Sequence, residues 1–179
     1  MIEVEAKAAI ARVEPIRRIA ATLGSYIGKE HKVDDYYALF SNGYPHKSIR
    51  IRKHDAFYEV NFKHSISYLK GVHAKQETEF KVSNVKDYLA LLKDIGYRIW
   101  LRKAKNSYVY EIHKHFHIEI NHVRGLGWFA EVEYLVHKKS EIRKARKEVL
   151  RILNQLGFNE NDLIKAGYTK LLWKKKHKK

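Results

Sequence analysis

The chain predicts an α+β fold: an eight-stranded antiparallel β-barrel closed on itself, with helices packed outside. Three observations predict it. Acidic residues alternate along the first strand, Glu3-Val4-Glu5-Ala6-Lys7, and again near the end, Glu131-Val132-Glu133. Successive strand side chains point to opposite faces, so Glu3, Glu5 and Lys7 share one face and Ile2, Val4 and Ala6 the other. The same polar parity returns in Arg50/Arg52, in Glu59/Asn61/Lys63 and in Lys75/Glu77/Glu79/Lys81. A solvated outer face explains one such strand. Strand after strand with acids and bases at matched spacing points to a shared interior. Finally, strand candidates outnumber helices and follow one another as hairpins, which favours an antiparallel sheet.

The elements run in order. Clean alternation makes 2–11 the first strand. A helix starts at Glu14-Pro15, where the missing proline N–H costs little, and Gly24 stops it. Its apolar stripe is Ile16, Ile19, Ala20 and Leu23. Residues 30–40 read as extended, 41–45 as a turn, 48–53 as a strand and 57–63 as its returning partner. A loop is expected over 64–73 and a strand over 75–82. Val85, Tyr88, Leu89, Leu92 and Ile95 mark a second helix, capped by Ser83 or Asn84 and stopped by Gly96. Strands are expected at 97–104, 107–121 and 128–136. A third helix covers 141–156 before Gly157, and two short helical pieces fill 160–173.

A length of 179 residues suits one domain with a full core. It is expected to span 1–173, with a basic, disordered tail at 174–179. Lys and Arg total 36 against 20 acidic residues, a formal +16, so an anionic partner is expected. The absence of cysteine excludes disulfides and thiolate metal sites. The N-terminus carries acids and no long apolar run, so no secretory signal is expected. No stretch approaches the roughly 20 apolar residues of a membrane span. Together these predict a cytoplasmic protein.

Glu3, Glu5, Glu131 and Glu133 meet if the first and last strands share a closed sheet. Like charges at short range repel, so the cluster needs a counter-charge. A hard divalent cation, Mg²⁺ or Mn²⁺, suits carboxylate oxygen. Lys and Arg on the other strands suit phosphate. The pattern therefore describes a site for a metal-bound polyphosphate. His113, His115 and His117 also alternate, in step with Glu119. An exposed hairpin is expected there rather than a transition-metal site, because the carboxylates already serve a hard metal.

These residues resemble the signature of the CYTH superfamily, the triphosphate tunnel metalloenzymes. Glu3-x-Glu5-x-Lys7 resembles its opening strand, and Asp34-Asp35-Tyr36-Tyr37 its D-x-Y-[YF] segment. Arg50-Ile51-Arg52 is similar to its R-x-R strand, Phe62-Lys63 to the lysine that follows, and Lys75-Gln76-Glu77-Thr78-Glu79 to its basic residue before E-x-E. Lys103-Ala104-Lys105-Asn106-Ser107-Tyr108 resembles K-x-R-x-x-Y, with Lys105 where the family has Arg. Ile118-Glu119-Ile120-Asn121 resembles the late acidic strand, with Asn121 where cyclase-like members have Asp. Leu126-Gly127-Trp128-Phe129-Ala130-Glu131-Val132-Glu133 looks most like the L-G-x-F-x-E-x-E hairpin of the class IV adenylyl cyclase branch.

The resemblance implies a barrel with a polar tunnel that binds triphosphate through bases and Mg²⁺ or Mn²⁺ through glutamates. On this sequence it implies Glu3, Glu5, Glu119, Glu131 and Glu133 as metal ligands. It implies Lys7, Arg50, Arg52, Lys63, Lys75 and Lys105 as phosphate contacts. Lys7, Lys63 and Tyr36 stand as catalytic candidates: a carboxylate or a lysine of lowered pKa as base, the tyrosine to steer a leaving group or stack on a base. The expected activity is most like a class IV adenylyl cyclase, turning ATP into cyclic AMP and diphosphate. The alternatives are an inorganic or thiamine triphosphatase on the same tunnel, or a non-catalytic binder of RNA or polyphosphate. Expected partners are ATP, tripolyphosphate or thiamine triphosphate, with a weak attraction for RNA and none for membranes. A monomer or homodimer is expected.

Overall fold

The computed structural model describes residues 1–39 and 43–177. Eight strands close into one barrel: β1 (Ile2–Ala9), β2 (Ser25–Leu39), β3 (Ile49–Lys53), β4 (Tyr58–Leu69), β5 (Val72–Val82), β6 (Tyr97–His113), β7 (Phe116–Val123) and β8 (Gly127–Val136). The order around the barrel is β1-β5-β4-β3-β2-β6-β7-β8, and every pairing is antiparallel. Among the described residues four α-helices decorate it: α1 (Val13–Leu23), α2 (Lys86–Asp94), α3 (Ile142–Gln155) and α4 (Tyr168–Lys176). No helix among the described residues is long and apolar enough to cross a membrane.

The apolar core lies outside the barrel wall. Val4, Ala6, Ile118, Ile120 and Val132 are fully buried in one cluster with Ala145, Val149, Ile152 and Leu153 of α3. The helical spacing of the α3 residues puts them on one stripe against the outward face of β1 and β8. Burying each such aliphatic side chain contributes about 1.5–3 kcal/mol. A second cluster packs Ile51 and Val60 under Leu92 and Val85 at α2. Val4, Ile51 and Val132 therefore sit under helices as expected, whereas Phe62 is half-buried and belongs to none of these clusters. With the apolar faces turned outward, alternation turns the charged faces inward.

Several elements differ from the sequence expectation. The loop expected over 64–73 is mostly strand. β4 runs on to Leu69, and the reversal takes only Lys70 (φ 50°) and Gly71 (φ 86°). Two successive positive φ angles form a tight hairpin whose twist matches the strands. Serines on the β4 side masked this extension, because they lack β-propensity. The strand expected over 107–121 is broken by a turn at Lys114 and His115, where His115 adopts φ 72° without any glycine signal. Conversely, 97–104 and 107–113 fuse into the single strand β6, held along its length by β2. α4 continues through Lys174, Lys175 and Lys176, and Lys175 Nζ donates to the Gly125 carbonyl at 2.7 Å. The first half of the expected basic tail is thus helix, whereas Lys178 and Lys179, like part of the turn expected at 41–45, lie outside the described residues.

Candidate active site inside the barrel

Closure brings the two acidic strands side by side. Across β1 and β8, Glu5 stands opposite Glu133 and Lys7 opposite Glu131. Across β7 and β8, Glu119 stands opposite Glu131, and across β1 and β5, Glu3 stands opposite Lys75. Glu3, Glu5, Lys7, Lys105, Glu119 and Glu131 are buried, and Lys7 is only 2% exposed. A buried charge is costly unless it is paired. Lys7 Nζ meets Glu131 at 2.8 Å and Glu5 at 3.2 Å. Lys75 pairs with Glu5, Lys105 with Glu119, and Lys63 with both Glu3 and Glu77.

The opposite wall holds a second network. Asp34, fully buried, accepts from Arg52 Nε at 2.6 Å and from Lys103 Nζ at 2.9 Å. Arg50 pairs with Glu59, which also lies 3.7 Å from Arg52. The Tyr36 hydroxyl donates to Asp34 at 3.5 Å. Lys32 reaches Glu119 at 3.3 Å. The barrel thus gathers every expected phosphate and metal candidate into one interior. It adds Asp34, Glu59, Lys32 and Lys103 as their partners. Asp34 and Lys103 stood in quoted motifs, and strand parity alone places Lys32 and Glu59 on the inward face.

The electrostatics separate the carboxylates. Burial raises Glu119, but Lys105 and Lys32 outweigh it and hold this carboxyl well below its ordinary range. Burial likewise raises Asp34, and Lys103 and Arg52 overrule it downward. Glu3 goes the other way: burial, helped by Glu5 and Glu133, lifts it despite Lys63. Glu133 is pushed up to about 7 by burial and then by Glu119 and Glu131. It makes no ion pair or hydrogen bond among the described residues, unlike the other four candidate ligands. Burial opposes the charge on Lys7 and on Lys63, but their glutamate neighbours raise both well above the ordinary lysine value. Neither therefore fits the expectation of a lysine base with lowered pKa.

Of six buried polar atoms without a hydrogen-bond partner among the described residues, four sit on strand positions that share the inward parity: Glu3 Oε1, Arg50 Nε, Asn61 Oδ1 and His73 Nε2. Trp100 Nε1 and Arg146 Nε are the others. A bound polar ligand would satisfy such groups. The Glu133 carboxylate and Glu3 Oε1, which accepts no hydrogen bond and has only Lys75 at 4.0 Å, fit a divalent cation by donor chemistry. Among the described residues no three acidic or histidine side chains converge as a ready-made cage, because lysines occupy the glutamates. His113 lies exposed at the hairpin, whereas His117 is half-buried on the same face as Glu119, opposite Glu133, and pairs with Glu111 at 3.3 Å.

One end of the interior is stoppered by α4. The Tyr168 ring packs on Phe129 at 5.1 Å, and Lys7 Nζ stands 5.0 Å from its centroid. Asn121 Nδ2 bridges Glu131 at 2.8 Å and Glu119 at 3.2 Å, and its Oδ1 accepts from Ser107 at 2.5 Å. Tyr168 escaped the sequence expectation because a helix nearly fifty residues downstream brings it here.

The CYTH domain profile matches residues 1–168. The chain belongs to the CYTH domain family. Its curated relative from Methanocaldococcus jannaschii, named "putative adenylate cyclase", is 28% identical over 178 residues, covering 96% of this chain and 98% of the relative. The PH1819 protein of Pyrococcus horikoshii superposes with a TM-score of 0.80 at 26% identity, covering 97% of this chain and 99% of that one. A Hippeastrum "putative adenylyl cyclase", described as having a dominant triphosphatase activity, shares the fold with a TM-score of 0.62 at 12% identity, covering 99% of this chain and 97% of that one. Within this CYTH domain the two departures have physical counterparts. Asn121 satisfies Glu119 and Glu131 as a neutral donor, where an aspartate would add a further negative charge. Lys105 pairs with Glu119 through one ammonium, where arginine would offer a planar fork.

Proposed function

We propose that this CYTH domain is a divalent-metal-dependent enzyme acting on a nucleoside triphosphate, converting ATP to cyclic AMP and diphosphate. One observation carries the reading: a closed interior in which Lys and Arg face a group of carboxylates, one of which, Glu133, has no ion-pair partner among the described residues. Phosphoryl and nucleotidyl transfer depend on positioning and charge neutralisation more than on covalent chemistry. Arg50, Arg52, Lys63, Lys75 and Lys105 would exchange their carboxylate partners for phosphate oxygens. Glu3, Glu5, Glu119, Glu131 and Glu133 would hold Mg²⁺ or Mn²⁺, which supplies polarisation of a phosphoryl oxygen. Lys7, kept cationic between Glu5 and Glu131, would balance charge developing on the leaving diphosphate. Tyr36, beside Asp34, would orient the leaving group or the base. The curated relative's name supports cyclisation.

A second reading is hydrolysis of a compact triphosphate. The Tyr168 stopper favours it, because it restricts the room for an organic group at that end. The test is to incubate the protein with ATP, tripolyphosphate and thiamine triphosphate, each with Mg²⁺ and with Mn²⁺, and to identify every product. Cyclic AMP from ATP is expected. Orthophosphate without cyclic AMP selects the second reading. No product from any substrate would leave a binder of polyanions and overturn both.

A further inference from the structure

We propose that the outer face of β6, β7 and β8 beside α1 is a docking platform for single-stranded nucleic acid, separate from the barrel interior. Inside the barrel, cations and carboxylates pair against one another. The formal surplus of +16 therefore resides on the outside, where the proposed triphosphate chemistry does not use it. Cations also stand over Phe57 and Tyr44 elsewhere, but on this face two of them, Arg17 and Lys29, converge on one ring that neighbours a second.

The face arises from strand parity. Ser107 and Val109 point inward and are buried, which turns Tyr108 outward. Tyr108 and Trp128 lie nearly parallel, 13° between planes, with centroids 6.2 Å apart. The His122 ring sits 4.8 Å from Trp128. The Arg17 guanidinium of α1 stacks 3.8 Å over Tyr108, and the Lys29 ammonium stands 5.3 Å from the same ring. Tyr108, His122 and Trp128 are half-buried, the first and last packed against the core cluster beside α1, and Lys29 is exposed with no ion-pair partner among the described residues.

Nucleobases stack on aromatic faces and on guanidinium planes, and exposed ammonium groups meet the phosphates between them. A duplex hides its base faces, so the ring row suits a single strand. Tyr and Trp beside basic residues can also sit at a membrane interface, so the test carries a vesicle arm. This proposal does not rest on the activity of the barrel interior.

The test uses a short fluorescein-labelled oligouridylate, read by fluorescence anisotropy against the full chain at physiological salt. Binding is expected, and saturating tripolyphosphate should not displace it. Trp128→Leu should weaken it about ten-fold or more, the range of lost base–aromatic stacks. Lys29→Glu should weaken it several-fold, by loss of a phosphate contact. Both variants should turn over triphosphate as the parent does. Lys29→Glu alters only an exposed side chain, so the test survives if Trp128→Leu misfolds. Three results overturn the proposal: displacement by tripolyphosphate, which puts the RNA in the barrel; parent-like binding by Lys29→Glu and by any folded Trp128→Leu, which leaves only dispersed charge; or capture by phosphatidylserine vesicles without oligouridylate binding, which makes the face a membrane contact.

Discussion

Glu133 concentrates the chemistry at the residue scale. Its carboxyl, pushed up to about 7 from an ordinary 4.5, carries a proton more readily folded than unfolded. The stability it contributes is complete below the unfolded value and is lost as pH rises through 7, on the order of 3 kcal/mol. In chelator, urea midpoints of the parent should therefore fall between pH 5 and 8, following the shift at Glu133. Glu133→Gln should flatten that fall and weaken Mn²⁺ binding. An equally flat parent curve would remove the isolated carboxylate from the account. Arg52 tests the facing wall. Its contacts are charge-assisted and shielded from water, so Arg52→Ala should weaken tripolyphosphate binding by about one to two powers of ten, read by titration calorimetry. An unchanged affinity would place the anion elsewhere.

Two elements set the shape around that chemistry. The long β4–β5 hairpin turns on Gly71, at φ 86°, where an added Cβ would stand 2.7 Å from Leu163 Cβ. Gly71→Ala should cost more than about 1 kcal/mol, since both the backbone and the packing resist it. A thermal melt equal to the parent's would contradict this geometry. α4 contributes the Tyr168 stopper. Tyr168→Ala should destabilise by about 3–5 kcal/mol, as for other large buried rings. Tyr168→Phe should cost about 1–3 kcal/mol, because the buried hydroxyl meets Asn121 at 3.5 Å and bonds Glu131. Chemical denaturation of the pair separates packing from hydrogen bonding.

For the whole molecule the defining feature is a charged interior held in an apolar outer sleeve. Interior lysines pair with most glutamates; burial still lifts Glu3 despite Lys63, and Glu133 has no ion-pair partner among the described residues. A cation that binds only the folded chain should raise its stability by about 2.7 kcal/mol at a hundredfold excess over Kd. Mn²⁺ should therefore raise the melting temperature, with proton release at neutral pH as Glu133 ionises. Calorimetry in buffers of different ionisation enthalpy measures that release. A melt insensitive to Mn²⁺ and Mg²⁺ would exclude the metal site.

The sequence by itself determined parity: which residues of each strand share a face. Glu3-x-Glu5-x-Lys7, Arg50-x-Arg52 and Glu131-x-Glu133 already carried the inward set, because alternation is fixed by backbone geometry. It also carried the helices, whose apolar stripes and glycine stops are local signals. Only the tertiary structure decided which charges meet. That Glu5 faces Glu133 while Lys7 faces Glu131 depends on the register between the first strand and the last, a long-range property set by packing under α3. The isolation of Glu133, the burial of Asp34 between Arg52 and Lys103, and the arrival of Tyr168 at the barrel end follow from closure. Local sequence does not encode them, because electrostatic environment belongs to the neighbours that folding supplies.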